Sequence, residues 1–229
     1  MKLSLAITTY LRYQLTIDSF AQVIDDPRID DIVVLDDCSP DMSFQKLTAY
    51  FKGNKKVRVI RQAFNRGMQR NKFDAVAHSK NDWVILFDSD NVLKKGYLDA
   101  LEKQELHDNI IYMPDYARPQ FDYRKFAGKL FDKSNAHFLV NDTMGNCLLN
   151  TCNYTVHRAT YMEVFSENPE IKGSDTLWFN YLWLKAGYSF YVVPGMQYFH
   201  LQHSGSTWLQ HADYNMKTTT ELNKKILSL

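Results

Sequence analysis

Between Trp83 and Asp90 five large apolar residues in succession, Trp83, Val84, Ile85, Leu86 and Phe87, run directly into Asp88-Ser89-Asp90. An unbroken apolar run of this length reads as a strand covered on both faces, as in a parallel sheet. In open α/β sheets the ligand crevice lies at the carboxyl ends of the strands. The two aspartates therefore face such a crevice, and as hard oxygen donors they suit Mg²⁺ or Mn²⁺. An Asp-x-Asp turn taken alone is more often a solvated loop or cap, so the reading depends on what else the chain delivers to the same edge.

The preceding residues alternate strand and helix. Leu3 to Thr8 is a strand ending in Thr8-Thr9-Tyr10, and Leu15, Ile17, Phe20, Val23 and Ile24 follow at helical spacing up to Asp25-Asp26-Pro27. Ile32-Val33-Val34-Leu35 is a second buried strand, and it too ends on acids, Asp36 and Asp37. Val57 to Ile60 is a third strand. It leads to Asn65-Arg66-Gly67, where glycine makes a positive φ inexpensive, and to a helix from about Gly67 to Ser79 carrying Arg70, Asn71 and Lys72 near its start. Backbone N–H groups and cations at a helix start can meet phosphate. A helix from Gly96 to Gln104 and a fifth strand at Ile110 to Met113 complete this half.

From about residue 114 the texture changes to aromatics, prolines and polar residues. We expect residues 1–113 and 114–229 to be two halves of one domain. In the second, Cys147 to His157 reads as a strand or hairpin, Thr160 to Phe165 and Thr176 to Lys185 as helices, Tyr188 to Val193 and Gln197 to Leu201 as two strands, and Tyr214 to Leu229 as a helix. Asp175 stands where a helix begins, a position that also fits an N-cap. His200 and His203 end the last strand. Tyr116, Phe121, Tyr123, Tyr154 and Trp178 fit either sugar stacking or the core.

Charge and cysteine usage exclude other classes. With 27 basic against 26 acidic residues, a net charge of +1 gives no electrostatic case for nucleic acid. Cys38, Cys147 and Cys152 lack metal-ligand spacing, and reduced thiols in a cytoplasmic protein are expected. No stretch approaches the roughly 18 apolar residues of a membrane span. The expectation is a soluble protein that meets a membrane, if at all, from the side.

Together these residues resemble the family 2 glycosyltransferases of GT-A fold, α/β proteins with a Rossmann-like, mostly parallel central sheet flanked by helices. The resemblance rests on Thr8-Thr9-Tyr10, Val33 to Asp41, Asn65-Arg66-Gly67 with Arg70-Asn71, Asp82 to Asp90, and Gly173-Ser174-Asp175, in the family's order. It implies a metal-dependent, inverting transfer of a sugar from a nucleotide-diphosphate sugar, a UDP-sugar first, to a hydroxyl of a saccharide or glycoconjugate. Thr8 and Tyr10 would then border the nucleobase and Asp37 accept its ring N–H. Asn65 and Arg70 would belong to the donor site, Asp88 would hold the ribose, and Asp90 would bind Mn²⁺ or Mg²⁺ with His203 or its rival His200. Asp175 would be the general base.

The chain departs from the family in four places. Cys38 replaces the usual glycine, which bears on the tightness of its turn, and Ser174 replaces the usual glutamate. A long spacing from Arg70 to Trp83 leaves open whether Arg70 or Lys72 contacts phosphate. The absence of a Gln-x-x-Arg-Trp motif argues against a processive synthase. Two other readings compete. A nucleotidyltransferase would carry a glycine-rich loop after the first strand, and Thr8 to Tyr13 contains no glycine. A catalytically silent nucleotide-sugar binding module would need neither Asp175 nor a metal-competent histidine.

Overall fold

The structure, a computed structural model, describes residues 1–201 and 212–229. The first three β-α units form as their periodicity demands: β1 (Leu3–Thr9), α1 (Tyr13–Phe20), β2 (Ile29–Asp36), α2 (Ser43–Tyr50), β3 (Val57–Arg61) and α3 (Met68–Ala77). Then come β4 (Trp83–Asp88), β5 (Asn91–Leu93), α4 (Lys95–Leu101), β6 (Ile110–Arg118), and the short strands β7 (Phe121–Asp122) and β8 (Leu130–Phe131). The remainder is α5 (His137–Val140), α6 (Thr143–Leu149), β9 (Tyr154–His157), α7 (Arg158–Val164), α8 (Asp175–Lys185), β10 (Ser189–His200) and α9 (Ala212–Leu227).

One sheet in the order β3-β2-β1-β4-β9-β6-β10-β5 runs through the molecule. Strands β3, β2, β1 and β4 are parallel neighbours, as are β6 and β10, while β9 lies antiparallel between β4 and β6. The apolar run of β4 is central: Val84, Ile85, Leu86 and Phe87 are all buried. Burial of each such side chain is worth about 1.5–3 kcal/mol. The sheet therefore makes a rigid floor whose carboxyl edge presents the acids.

Three expectations change. The fifth strand does not stop at Met113 but continues to Arg118, across the change of texture at 114. Cys147 to His157 is not a strand throughout: α6 runs to Leu149, its start capped by the Asp142 carboxylate, which accepts from the Gly145 N–H at 3.0 Å, and only Tyr154–His157 is extended. The last two expected strands are one, β10, whose register with β6 slips between Val193 and Gln197. There Gly195 takes a φ of +80° and donates its N–H to Asp115 at 2.7 Å, a bulge that keeps both segments in the sheet. Among the described residues no helix is long and apolar enough to cross a membrane.

Candidate functional site

Register brings the first acids together. Thr8 in β1 is paired with Leu35 of β2 and with Asp88 of β4, and Thr9 is paired with Asp36. Asp36 is buried and turns inward, accepting from the N–H of Ser39 at 2.9 Å and from its hydroxyl. Cys38, in the usual glycine's place, still adopts a φ of +58°, so the chain keeps the tight turn despite its Cβ. Asp37 then accepts from the N–H of Arg66 at 2.7 Å and of Gly67 at 3.0 Å. Burial pushes its pKa above the ordinary carboxylate range, against the lowering effect of those two donors. The Asn65 side chain also accepts from the Gly67 N–H, at 3.2 Å. Asp37 and Asn65 thus shape the turn that launches α3, and Tyr10 is left 40% exposed at the rim.

At the end of β4 the Asp88 N–H donates to the Asn153 side chain at 2.9 Å. The Asp90 carboxylate meets the Arg12 guanidinium at 2.9 Å, a cation that the sequence reading did not single out. One residue on, Asn91 of β5 lies opposite His200 of β10, and their side chains are 3.0 Å apart. Strand pairing therefore carries His200 to the strand that follows Asp90. His203 lies outside the described residues. Among the described residues no three His, Cys, Asp or Glu side chains cluster as a metal site. The donor chemistry nevertheless fits a divalent ion: a carboxylate oxygen from Asp90 and an imidazole nitrogen are what Mn²⁺ accepts, with Arg12 as the competitor for Asp90.

Asp175 reaches this edge from the other half of the chain. It is the first residue of α8, and the preceding Ser174 is the cap residue, with a φ of +54° and no side-chain capping bond. The carboxylate is not spent on its own helix. It accepts from the Lys72 ammonium at 2.8 Å, and the same ammonium lies 3.3 Å from the Thr176 hydroxyl and 3.8 Å from Asp88. Burial by itself would lower the pKa of Lys72, but Asp175 foremost among its neighbours holds the ammonium charged, well above its ordinary range.

The approach to Asp175 is fixed by α9. A Cβ on Gly173 would fall 1.8 Å from the side-chain oxygen of buried Asn215, so any larger residue there has to displace that side chain. The Ser174 hydroxyl pairs with that of Thr219 at 2.9 Å, and the Tyr214 hydroxyl donates to the Glu170 carbonyl. Ser174, where the family usually has glutamate, therefore faces a helix and not the crevice.

Arg70 is engaged within α3, 3.0 Å from Asp74 and over the Phe73 ring at 4.8 Å. It is Lys72 that reaches the carboxylates. A signal was present in the sequence: Lys72 stands three and four residues before Ala75 and Val76, with which the helix buries it, and a buried lysine needs an acidic partner. Of the aromatic candidates, Tyr123 and Tyr154 are core, and Phe121 packs its edge against His200 with centroids 5.1 Å apart.

The family model for glycosyl transferase family 2 matches residues 4–149. A comparison with curated proteins finds no match. Among solved structures, the S. aureus TarS 1-349 complex with UDP-GlcNAc is 15% identical with a TM-score of 0.70, over 99% of this chain and 70% of that chain. Mannosyltransferase PcManGT from Pyrobaculum calidifontis, in complex with GDP-Man and Mn²⁺, is 12% identical with a TM-score of 0.71, over 96% of this chain and 63% of that one. Of the longer S. aureus TarS structure the chain spans 37%. At these identities the likeness speaks for the fold, which is the GT-A fold of those enzymes. The matched segment runs from β1 to the end of α6 and takes in both acidic strand ends, and on that ground the chain belongs to glycosyl transferase family 2.

Proposed function

We propose that the protein transfers a sugar from a nucleotide-diphosphate sugar, a UDP-sugar first, to a hydroxyl of a saccharide or glycoconjugate, with inversion and with dependence on a divalent ion. One observation carries the reading: Asp175, from a distant part of the chain, stands on the same lysine as Asp88 at the carboxyl edge of the sheet. A module that only binds nucleotide sugars has no use for a buried second carboxylate, Asp175, beside the half-buried Asp88 on that edge.

In this reading residues 1–113 hold the donor and residues 114–229 the acceptor. Thr8, Tyr10 and Asp37 border the nucleobase, with Asp37 accepting a ring N–H, and Asp88 accepts from the ribose. Asn65 shapes the donor-side turn, and Arg70 lies on the helix that follows it. A divalent ion held by Asp90 with His200 or His203 supplies neutralisation of the charge growing on the departing diphosphate. Asp175 takes the proton of the acceptor hydroxyl as that oxygen attacks the anomeric carbon. The bond to the diphosphate breaks on the opposite face, so the configuration inverts.

The test is nucleotide release from a panel of UDP- and GDP-sugars with Mn²⁺ and simple saccharide acceptors. Wild type should turn over at least one donor, and Asp175→Asn should lower kcat by about 10² or more with UDP affinity unchanged. Equal turnover by Asp175→Asn, or a product of retained anomeric configuration by NMR, would refute the reading.

A further inference from the structure

The Lys72 ammonium joins the donor-side acid Asp88 to the acceptor-side acid Asp175, with the buried Cys152 thiol beside all three. Its contacts come from three elements: α3 supplies the lysine, β4 supplies Asp88, and α8 supplies Asp175 and the Thr176 hydroxyl. Lys72 and Asp175 are each 9% exposed, so water competes little with these contacts. Around them lie the buried Tyr154, Tyr161 and Phe179, which leave the ammonium little freedom to turn elsewhere. An ordinary surface salt bridge is loose and nearly worthless. This one is enclosed and makes a second contact on α8.

We propose that Lys72 is a positioning residue for Asp175: it fixes one carboxylate oxygen at 2.8 Å and so sets the other oxygen toward the acceptor. This rests on the proposed role of Asp175 as base. Without the ammonium, the buried Asp175 carboxylate loses the partner that fixes its orientation. A base turned away from the acceptor hydroxyl takes no proton from it. Lys72 thus acts through Asp175 and not on the diphosphate, a different role from the phosphate contact that the sequence left open between Arg70 and Lys72.

The experiment is a double-mutant cycle on Lys72→Met and Asp175→Asn. It is read by UDP calorimetry with Mn²⁺ and by steady-state UDP release from a UDP-sugar of the panel above. Lys72→Met should lower kcat about tenfold to a hundredfold, with UDP affinity within about threefold of wild type. In the Asp175→Asn background the same substitution should change kcat less than about twofold, since there is no base left to position. Lys72→Arg, which keeps the charge, should recover most of kcat. Removing one partner of a buried pair threatens folding, whereas the double variant removes both charges, so it keeps the cycle readable.

Two results would overturn the proposal. One is a tenfold loss of UDP affinity in Lys72→Met with kcat unchanged, which makes Lys72 a phosphate contact. The other is unchanged kcat per folded molecule, which makes the pair structural only. Loss of turnover in Asp175→Asn beside an unaffected Lys72→Met removes the positioning role alone. Full turnover in Asp175→Asn removes the functional reading, and the positioning role with it.

Discussion

Asp37 has two separable jobs, and replacing it divides them. Its carboxylate accepts from the backbone N–H groups of Arg66 and Gly67 at 2.7 and 3.0 Å, and in the proposed function it also accepts from the nucleobase. In Asp37→Ala the Gly67 N–H keeps the Asn65 side chain as a partner at 3.2 Å, so one backbone donor and not two is stranded. A charge-assisted hydrogen bond is worth about 1.5–3 kcal/mol, and the half-buried Arg66 can recruit water, so we take the lower end, about 1.5 kcal/mol. For a chain of this length each kcal/mol moves Tm by roughly 2–4 °C, which gives a fall of about 3–6 °C by calorimetry.

The nucleobase contact is a second, independent loss of about 1.5–3 kcal/mol, or about tenfold or more in UDP affinity by titration calorimetry. A lowered Tm with UDP affinity within twofold of wild type would refute the nucleobase role and leave Asp37 as a turn lock. An unchanged Tm would refute the turn argument.

The pH dependence carries a definite sign. Burial raises the pKa of Asp37 above its ordinary 3.8, so the folded state holds the proton more tightly than the unfolded chain does. The stability it contributes is complete below about 3.8 and is lost as pH rises through the folded value. Asp37→Asn keeps one acceptor and cannot titrate. Relative to that variant, wild type should therefore be most favoured in acid and lose ground as pH rises, and the opposite slope would contradict the burial argument.

Two further predictions follow from the same geometry. Asp90→Ala removes the partner that Arg12 holds at 2.9 Å, and in the proposed function it also removes the metal-binding oxygen. The Mn²⁺-dependent part of UDP affinity should vanish in calorimetry while the fold persists, and an unchanged Mn²⁺ effect would move the metal elsewhere. Gly173→Ala drives a Cβ to 1.8 Å from the Asn215 side chain, and with Asn215 fully buried the overpacking should cost about 1–3 kcal/mol in denaturant melts. A neutral result would show that α9 does not clamp the approach to Asp175.

Much of the candidate site could be read along the chain as an expectation because its parts are local. The apolar run from Trp83 to Phe87 reads as a covered strand, and Asp88 and Asp90 follow it directly, so strand and acids come as one piece. The same holds for Asp36 and Asp37 after β2 and for the glycine turn before α3. What repeats every two or every 3.6 residues declares itself in sequence.

Only the tertiary structure could set β9 antiparallel between β4 and β6, a neighbour relation that no local pattern encodes. It alone joined Val193 and Gln197 into one bulged strand, because Asp115 on β6 supplies the acceptor for the Gly195 N–H. Packing also chose between two cations on one helix: Arg70 turned to Asp74 within its own helix, whereas Lys72 turned to Asp175, 103 positions away. Sequence names the charges, but the partner of a buried charge is decided by which elements pack together, since only there is water absent and a single oxygen within reach.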